Sequence, residues 1–288
     1  MEAQNNMNNR YIGAIILAPL LIVIFLGGLP LKILMLILSL LGMYEFYGAV
    51  KNNSINTINI IGYIITIIYY LLLNNNMSFK YIIFIFTFLL IIMLCIPVFY
   101  LKYNFIDTSL TILGFMYISV FFSFVVLVES KTVSVNDIVI NSGKYFVWLI
   151  FLCSWICDTA AYYSGKYLGQ GGKHKLSPII SPNKTVEGAI GGLLGSTISS
   201  MIFGYIINIY GYNFNLLHIN ILNYAIIGFL CGAFSQLGDL SASSIKRYVK
   251  KKDYGTLIPG HGGVLDRFDS ILFSAVVVYF YLTFILNM

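Results

Sequence analysis

"IPGHGGVLDRFDSILFSAVVVYFYLTFILN", residues 258–287, sets two textures side by side. A proline- and glycine-rich turn leads into Asp266, Arg267 and Asp269, and from Ser270 to Asn287 no residue is charged. A helix needs about 20 mainly apolar residues to cross the hydrocarbon of a bilayer. The second half of the stretch therefore reads as a membrane span and the first half as its polar mouth. The texture recurs along the chain, with candidate spans at 11–28, 31–49, 55–73, 81–101, 106–128, 145–165, 187–209, 219–243 and 268–287. Over its 288 residues the chain is 59% hydrophobic and 10% charged, with 22 Phe and 22 Tyr, too little polar surface to cover a soluble globule. The expected fold is all-α, a polytopic integral membrane protein with about nine transmembrane helices. The first run follows Arg10, is too long for a secretion signal and lacks a small-residue cleavage pattern, so it is read as the first membrane helix.

Lysine and arginine in short loops set orientation. With nine spans and the amino terminus inside, all 17 basic residues fall on the inner side except Lys32, Lys80, Lys131 and Lys144. The two longest polar insertions, about 166–186 and 246–267, then face the cytoplasm. The expected location is the cytoplasmic membrane, with any active site facing inward. A net charge of +6 gathered on one face suits anionic headgroups but does not account for acids placed among the lysines.

Those acids divide the chain. The first five runs hold little besides apolar residues, Glu45 being their main ionisable exception, so 1–145 is read as an amino-terminal scaffold of transmembrane helices. From about residue 150 glycines, carboxylates and bases enter the helices, so 146–288 is read as a catalytic transmembrane region with cytoplasmic loops. Cys95, Cys153, Cys157 and Cys231 all lie in apolar runs and form no metal-binding spacing, so they read as small buried hydrophobes. His174 and His218 are lone histidines in or near loops and are assigned no chemistry.

A carboxylate inside a span costs roughly 3 kcal/mol on insertion scales. Asp158, Asp239, Asp266 and Asp269 together represent about 10 kcal/mol, comparable to the stability of a domain, so something must compensate. In the nine-span topology all four sit at similar depth beneath the inner surface. Ser235, Asp239, Ser243, Lys246 and Lys250 recur at intervals of three or four, placing oxygen ligands and then cations on one helical face. Asp266 and Asp269 share a face near a helix amino terminus. Ordinary Asp–Lys pairs at the interface are the plainer explanation. A divalent metal with phosphates explains the clustering better, because Mg2+ favours a few carboxylates plus substrate oxygens. Asp158, Asp239, Asp266 and Asp269, with the neighbouring cations Lys246 and Lys250, are the groups such a site would draw on.

Two loops look ready for anions. In "PGHGG", 259–263, Pro259 stops a helix and the glycines let backbone amides approach a ligand ahead of the next helix start. His261 there is a phosphate donor, a water-bridged neighbour of a metal, or a loop hydrogen-bonder. In the other loop Ser181, Asn183, Lys184 and Thr185 supply donors just before Glu187, where a helix begins. Gly188, Gly191, Gly192 and Gly195 form a small-residue stripe suited to close helix packing.

The stretch "SSIKRYVKKKDYGTLIPGHGGVLDRFDS", 243–270, resembles the signature of the phosphatidate cytidylyltransferase (CDP-diacylglycerol synthase) family. "SPNKTVEG", 181–188, and "QLGDLSASSIKR", 236–247, are similar to neighbouring family segments. The resemblance is specific over about 153–275 and looser before that. It implies an enzyme of phospholipid synthesis that condenses CTP with phosphatidic acid to CDP-diacylglycerol and pyrophosphate, requires a divalent cation and works as a homodimer. It also implies that Asp239 and Asp266 hold the metal with Asp269 close by. Charge repulsion is the main obstacle to such a reaction, and Lys184, Lys246, Arg247, Lys252 and Arg267 are the groups expected to meet the phosphates. The rivals are a CTP-dependent polyprenol kinase, which releases CDP instead, and a transporter. The polar cluster on one membrane side and the lack of an internal repeat speak against the transporter.

Overall fold

The computed structural model describes residues 19–51, 55–73, 79–135, 138–169, 174–213, 219–260 and 262–288. Long apolar segments fold as helices because a helix satisfies every backbone polar group within itself, which hydrocarbon demands. In chain order these are α1 (Gly28–Val50), α2 (Asn59–Leu72), α3 (Phe79–Phe99), α4 (Phe105–Gly114) and α5 (Phe121–Glu129), followed by α6 (Gly143–Leu168), α7 (Val186–Asn213), α8 (Ile221–Tyr248) and α9 (Leu265–Phe284). A π-helical stretch, Phe115–Val120, joins α4 and α5 into one continuous span, Phe105–Glu129. Among the described residues two antiparallel hairpins interrupt the helices: β1 (Thr132–Val135) with β2 (Ile138–Asn141), and β3 (Lys175–Ser177) with β4 (Ser181–Thr185).

Seven helices among the described residues are long and apolar enough to cross a membrane. Their outer surfaces fit that reading: Leu29 is 68%, Val98 72% and Phe99 76% exposed, a load of bare apolar side chains that water does not tolerate. The chain is a multi-pass membrane protein. Two of the nine expected spans differ in detail. α2 has 14 residues and rises only about 21 Å, short of a hydrocarbon core of about 30 Å. Residues 11–18 of run 11–28 lie outside the described residues; its residues 19–26 are helical and end at Gly27 and Gly28, whose φ of 66° and 57° break the helix as only glycine does cheaply.

The chain packs into two compact units, Met1–Val126 with Tyr248–Arg267, and Leu127–Arg247 with Phe268–Met288. In the first, Tyr47 of α1 is the wedge. Its hydroxyl donates to the Thr111 carbonyl at 2.9 Å, and the side chain occupies space left by Gly62 and Gly114, where an added Cβ would meet its hydroxyl and its ring, respectively, at 2.5 Å. Asp107 closes a capping box with Asn104 at the start of α4, and its Oδ1 also accepts the Asn56 amide at 2.7 Å.

In the second unit the glycine stripe of α7 lies against α6. A Cβ on Gly188 would stand 2.8 Å from the Ala161 carbonyl oxygen, and one on Gly195 would stand 2.5 Å from Ala160 Cβ. The absence of side chains thus lets two backbones meet, the usual means of helix association in lipid. Gly238 does the same between α8 and α9, since a Cβ there would lie 2.6 Å from the carbonyl oxygen of Asp269.

Candidate functional site

The close approach of α6, α7 and α8 opens a cavity of about 730 Å3 in the second unit. Helical spacing puts Asp158, Tyr162 and Lys166, four residues apart, on the face of α6 that lines it. The β3–β4 hairpin adds Lys175, Asn183, Lys184 and Thr185, and α8 adds Gln236 and Asp239. Lys184 Nζ pairs with Asp239 Oδ2 at 2.6 Å, and Ser243, one turn on, donates to Asp239 Oδ1 at 3.3 Å. Gln236 Nε2 donates to the Ala189 carbonyl at 3.0 Å and ties α8 to the first turn of α7. Three lysines and two aspartates line one cavity, a surface with the charges to meet both an anion and its counter-ion.

Asp269, on the second turn of α9, is only 7% exposed. Its Oδ1 accepts the Ser270 amide at 2.8 Å, and Asp239, Lys246 and Asp158 lie within its electrostatic reach. A carboxylate buried as that of Asp269 is, with other acids near it, requires a cation. Lys184 and Lys246 supply that charge here. Among the described residues no three His, Cys, Asp or Glu side chains form a metal cluster. Asp239 and Asp269 nevertheless fit a Mg2+ ion, which takes one or two carboxylates and completes its shell with water and substrate oxygens.

The glycine-rich turn departs from its expected role. Gly263 and Tyr254 donate their amides to Asp266 Oδ2 at 3.0 and 2.8 Å. Val264 and Leu265 donate theirs to the carboxylate of Glu45, each at 2.9 Å. Of the amides expected to receive phosphate, those of Gly263, Val264 and Leu265 are already held by the protein's own carboxylates. A similar correction applies at the start of α7, where Thr185 Oγ1 accepts the Gly188 amide at 3.1 Å and the His174 carbonyl takes that of Val186 at 2.9 Å. This loop offers Asn183 and Lys184 to the cavity through side chains, while Thr185 acts as the helix cap.

Other expected residues are scattered. Ser181 pairs with Ser177 in the hairpin and is not among the residues lining the cavity. Arg247 Nε donates to the Ile180 carbonyl at 3.3 Å. Lys252 and Arg267 are exposed, and His261 lies outside the described residues. Lys250 does not continue the polar face of α8. The helix ends at Tyr248, and Lys250 has a left-handed φ of 55°, a helix-terminating conformation. His174 pairs with Glu187 at 2.5 Å. Sequence reasoning passed over Tyr162, Lys166 and Lys175 as site residues; a step of four from Asp158 along α6 was the available signal for the first two.

The sequence pattern that defines the Cytidylyltransferase family matches residues 8–285. Proteins named phosphatidate cytidylyltransferase from Staphylococcus haemolyticus (strain JCSC1435) and Staphylococcus aureus (strain COL) are 37% identical to this chain over 172 residues. One of the same name from Staphylococcus epidermidis (strain ATCC 12228 / FDA PCI 1200) is 35% identical over 172 residues. Each match covers 60% of this chain, and the chain spans 58% of the length of these relatives.

Proposed function

The chain belongs to the cytidylyltransferase family, and on that premise we propose that it condenses CTP with phosphatidic acid to give CDP-diacylglycerol and pyrophosphate. The observation that carries this reading is the cavity in which Lys166, Lys175 and Lys184 stand beside Asp158 and Asp239. A phosphate oxygen of phosphatidic acid, already anionic, attacks the α phosphorus of CTP in line. The bond from that phosphorus to the oxygen bridging it to the β phosphate breaks, and pyrophosphate leaves with the electron pair. No proton needs removing from the nucleophile, so the protein's work is positioning and neutralisation.

The three cavity lysines hold the triphosphate, and Lys246 and Arg247 at the end of α8 attend the lipid phosphate. Tyr162, 62% exposed and the only aromatic ring among the described residues lining the cavity, offers a face on which a nucleobase stacks. Asn183, which lines the same cavity, has the donors and acceptors to meet a base edge. Asp239 and Asp269 would hold Mg2+, which when bound screens the phosphate charge that otherwise opposes attack. Asp266 joins them from the sequence reading, one helical turn before Asp269, as do Lys252, His261 and Arg267 as phosphate contacts. The lysine and arginine bias supports a cytoplasmic site, where soluble CTP and a bilayer lipid phosphate both have access. The same reading assigns the chemistry to 146–288 on the scaffold of 1–145, in a homodimer.

The deciding experiment incubates detergent-purified protein with Mg2+, phosphatidic acid and each labelled nucleoside triphosphate in turn, then identifies both products. CDP-diacylglycerol with pyrophosphate is expected, from CTP alone. Release of CDP would make the protein a lipid kinase, and no turnover of any nucleotide would end the proposal. Light scattering of the purified protein checks the dimer.

A further inference from the structure

We propose that Glu45 is a positioning residue for the glycine-rich turn: from inside α1 its carboxylate fixes the backbone before α9 and, through it, Asp266. A buried glutamate within an apolar helix is costly and calls for a reason. Glu45 is 3% exposed, and both of its oxygens are used, Oε1 by the amide of Val264 and Oε2 by that of Leu265, each at 2.9 Å. These amides open the first turn of α9, where a helix has unpaired donors and a partial positive charge. Glu45 is thus a built-in anion at the place where the sequence suggests a phosphate.

The turn is shaped around that carboxylate. A Cβ on Gly255 would lie 2.7 Å from Glu45 Oε1, and one on Gly263 would lie 2.5 Å from Oε2. These glycines make room for a side chain that comes from about 210 positions earlier in the chain. Asp266 holds the amides of Tyr254 and Gly263 from the other side, so two carboxylates between them fix four backbone donors of one turn. Tyr254 is buried with its ring 6.5 Å from that of Phe46, the neighbour of Glu45, and Lys251 Nζ donates to the Gly48 carbonyl at 3.3 Å. An apolar residue at 45 would fill the same space and leave two buried amides without acceptors. α1 therefore contributes to the orientation of a proposed site residue and is more than scaffold.

The functional half of this inference rests on the proposed cytidylyltransferase activity; the structural half does not. The test compares full-length wild type, Glu45→Gln and Glu45→Leu in detergent, reading hydrogen–deuterium exchange of the peptide covering 253–265 alongside kcat and KM for CTP. In Glu45→Leu, exchange of that peptide is expected to rise and kcat to fall by roughly tenfold or more, with KM for CTP changed less than about threefold. Glu45→Gln, which keeps the size and one acceptor oxygen, should fall between. Unchanged exchange at 253–265, or raised exchange with undiminished kcat, overturns the proposal. If Glu45→Leu does not fold, Glu45→Gln decides by the same criteria. A wild type that forms no CDP-diacylglycerol sinks the function proposed above, while the exchange comparison still decides whether Glu45 holds the turn.

Discussion

Asp269 concentrates the electrostatic problem of this protein in one side chain. It is buried, and the charges of Asp239, Asp158 and Lys246 all act on it. Losing a fixed electrostatic group at a reaction centre commonly costs about 3 kcal/mol, or roughly two orders of magnitude in rate. Asp269→Asn is therefore expected to fold and insert but to form CDP-diacylglycerol about 100-fold more slowly, as measured with purified protein at saturating Mg2+. Asp266→Asn should also lose most activity, yet its remaining amide oxygen still accepts from the Tyr254 and Gly263 amides, so it should keep its melting temperature. Tyr162 is tested by a pair of variants. Tyr162→Phe keeps the ring and should keep the KM for CTP, whereas Tyr162→Ala should raise it about tenfold, the cost of one stacked base, with little effect on KM for phosphatidic acid. Lys131 is the contrast. Its ammonium donates to the Met288 carbonyl at 2.8 Å and lies 4.7 Å from the centre of the Tyr279 ring. Lys131→Ala should cost about 1 kcal/mol of stability and leave turnover within twofold.

Among the elements, helix contacts made by glycine decide where the carboxylates stand. Gly238 precedes Asp239 on α8, and a methyl group there would press on the Asp269 carbonyl at 2.6 Å. Backbone cannot yield as the end of a flexible side chain can. Gly238→Ala should push α8 from α9, destabilise by about 1–3 kcal/mol and reduce activity together with stability, read by thermal melting and product formation on the same sample. The stripe on α7 was legible in advance because small residues at spacings of three and four mark one helix face. The use made of Glu45 was not, because it depends on a partner 219 residues away. The anion-ready helix starts were recognisable as places that need acceptors. Which acceptor fills each of them, a substrate phosphate or the protein's own carboxylate, hydroxyl or carbonyl, is a matter of tertiary contact.

For the whole molecule the membrane is the dominant constraint, and orientation is the property to test. Lys252→Cys in a background with Cys95, Cys153, Cys157 and Cys231 replaced by serine should react with an impermeant maleimide in inside-out vesicles and not in right-side-out ones. Labelling from the outer face only would invert the topology. By itself the sequence determined that this chain lives in a bilayer, where its long spans run, and which loops carry unusual chemistry. These follow from composition and from periods of three and four residues, which are local properties of the chain. Only the tertiary structure decided that Lys184 pairs with Asp239, that Tyr162 and Lys166 line the cavity, and that Glu45 occupies the start of α9. Such contacts join residues from separate helices, and they depend on how closely two backbones approach and which way each side chain leaves its helix, quantities that no local spacing encodes.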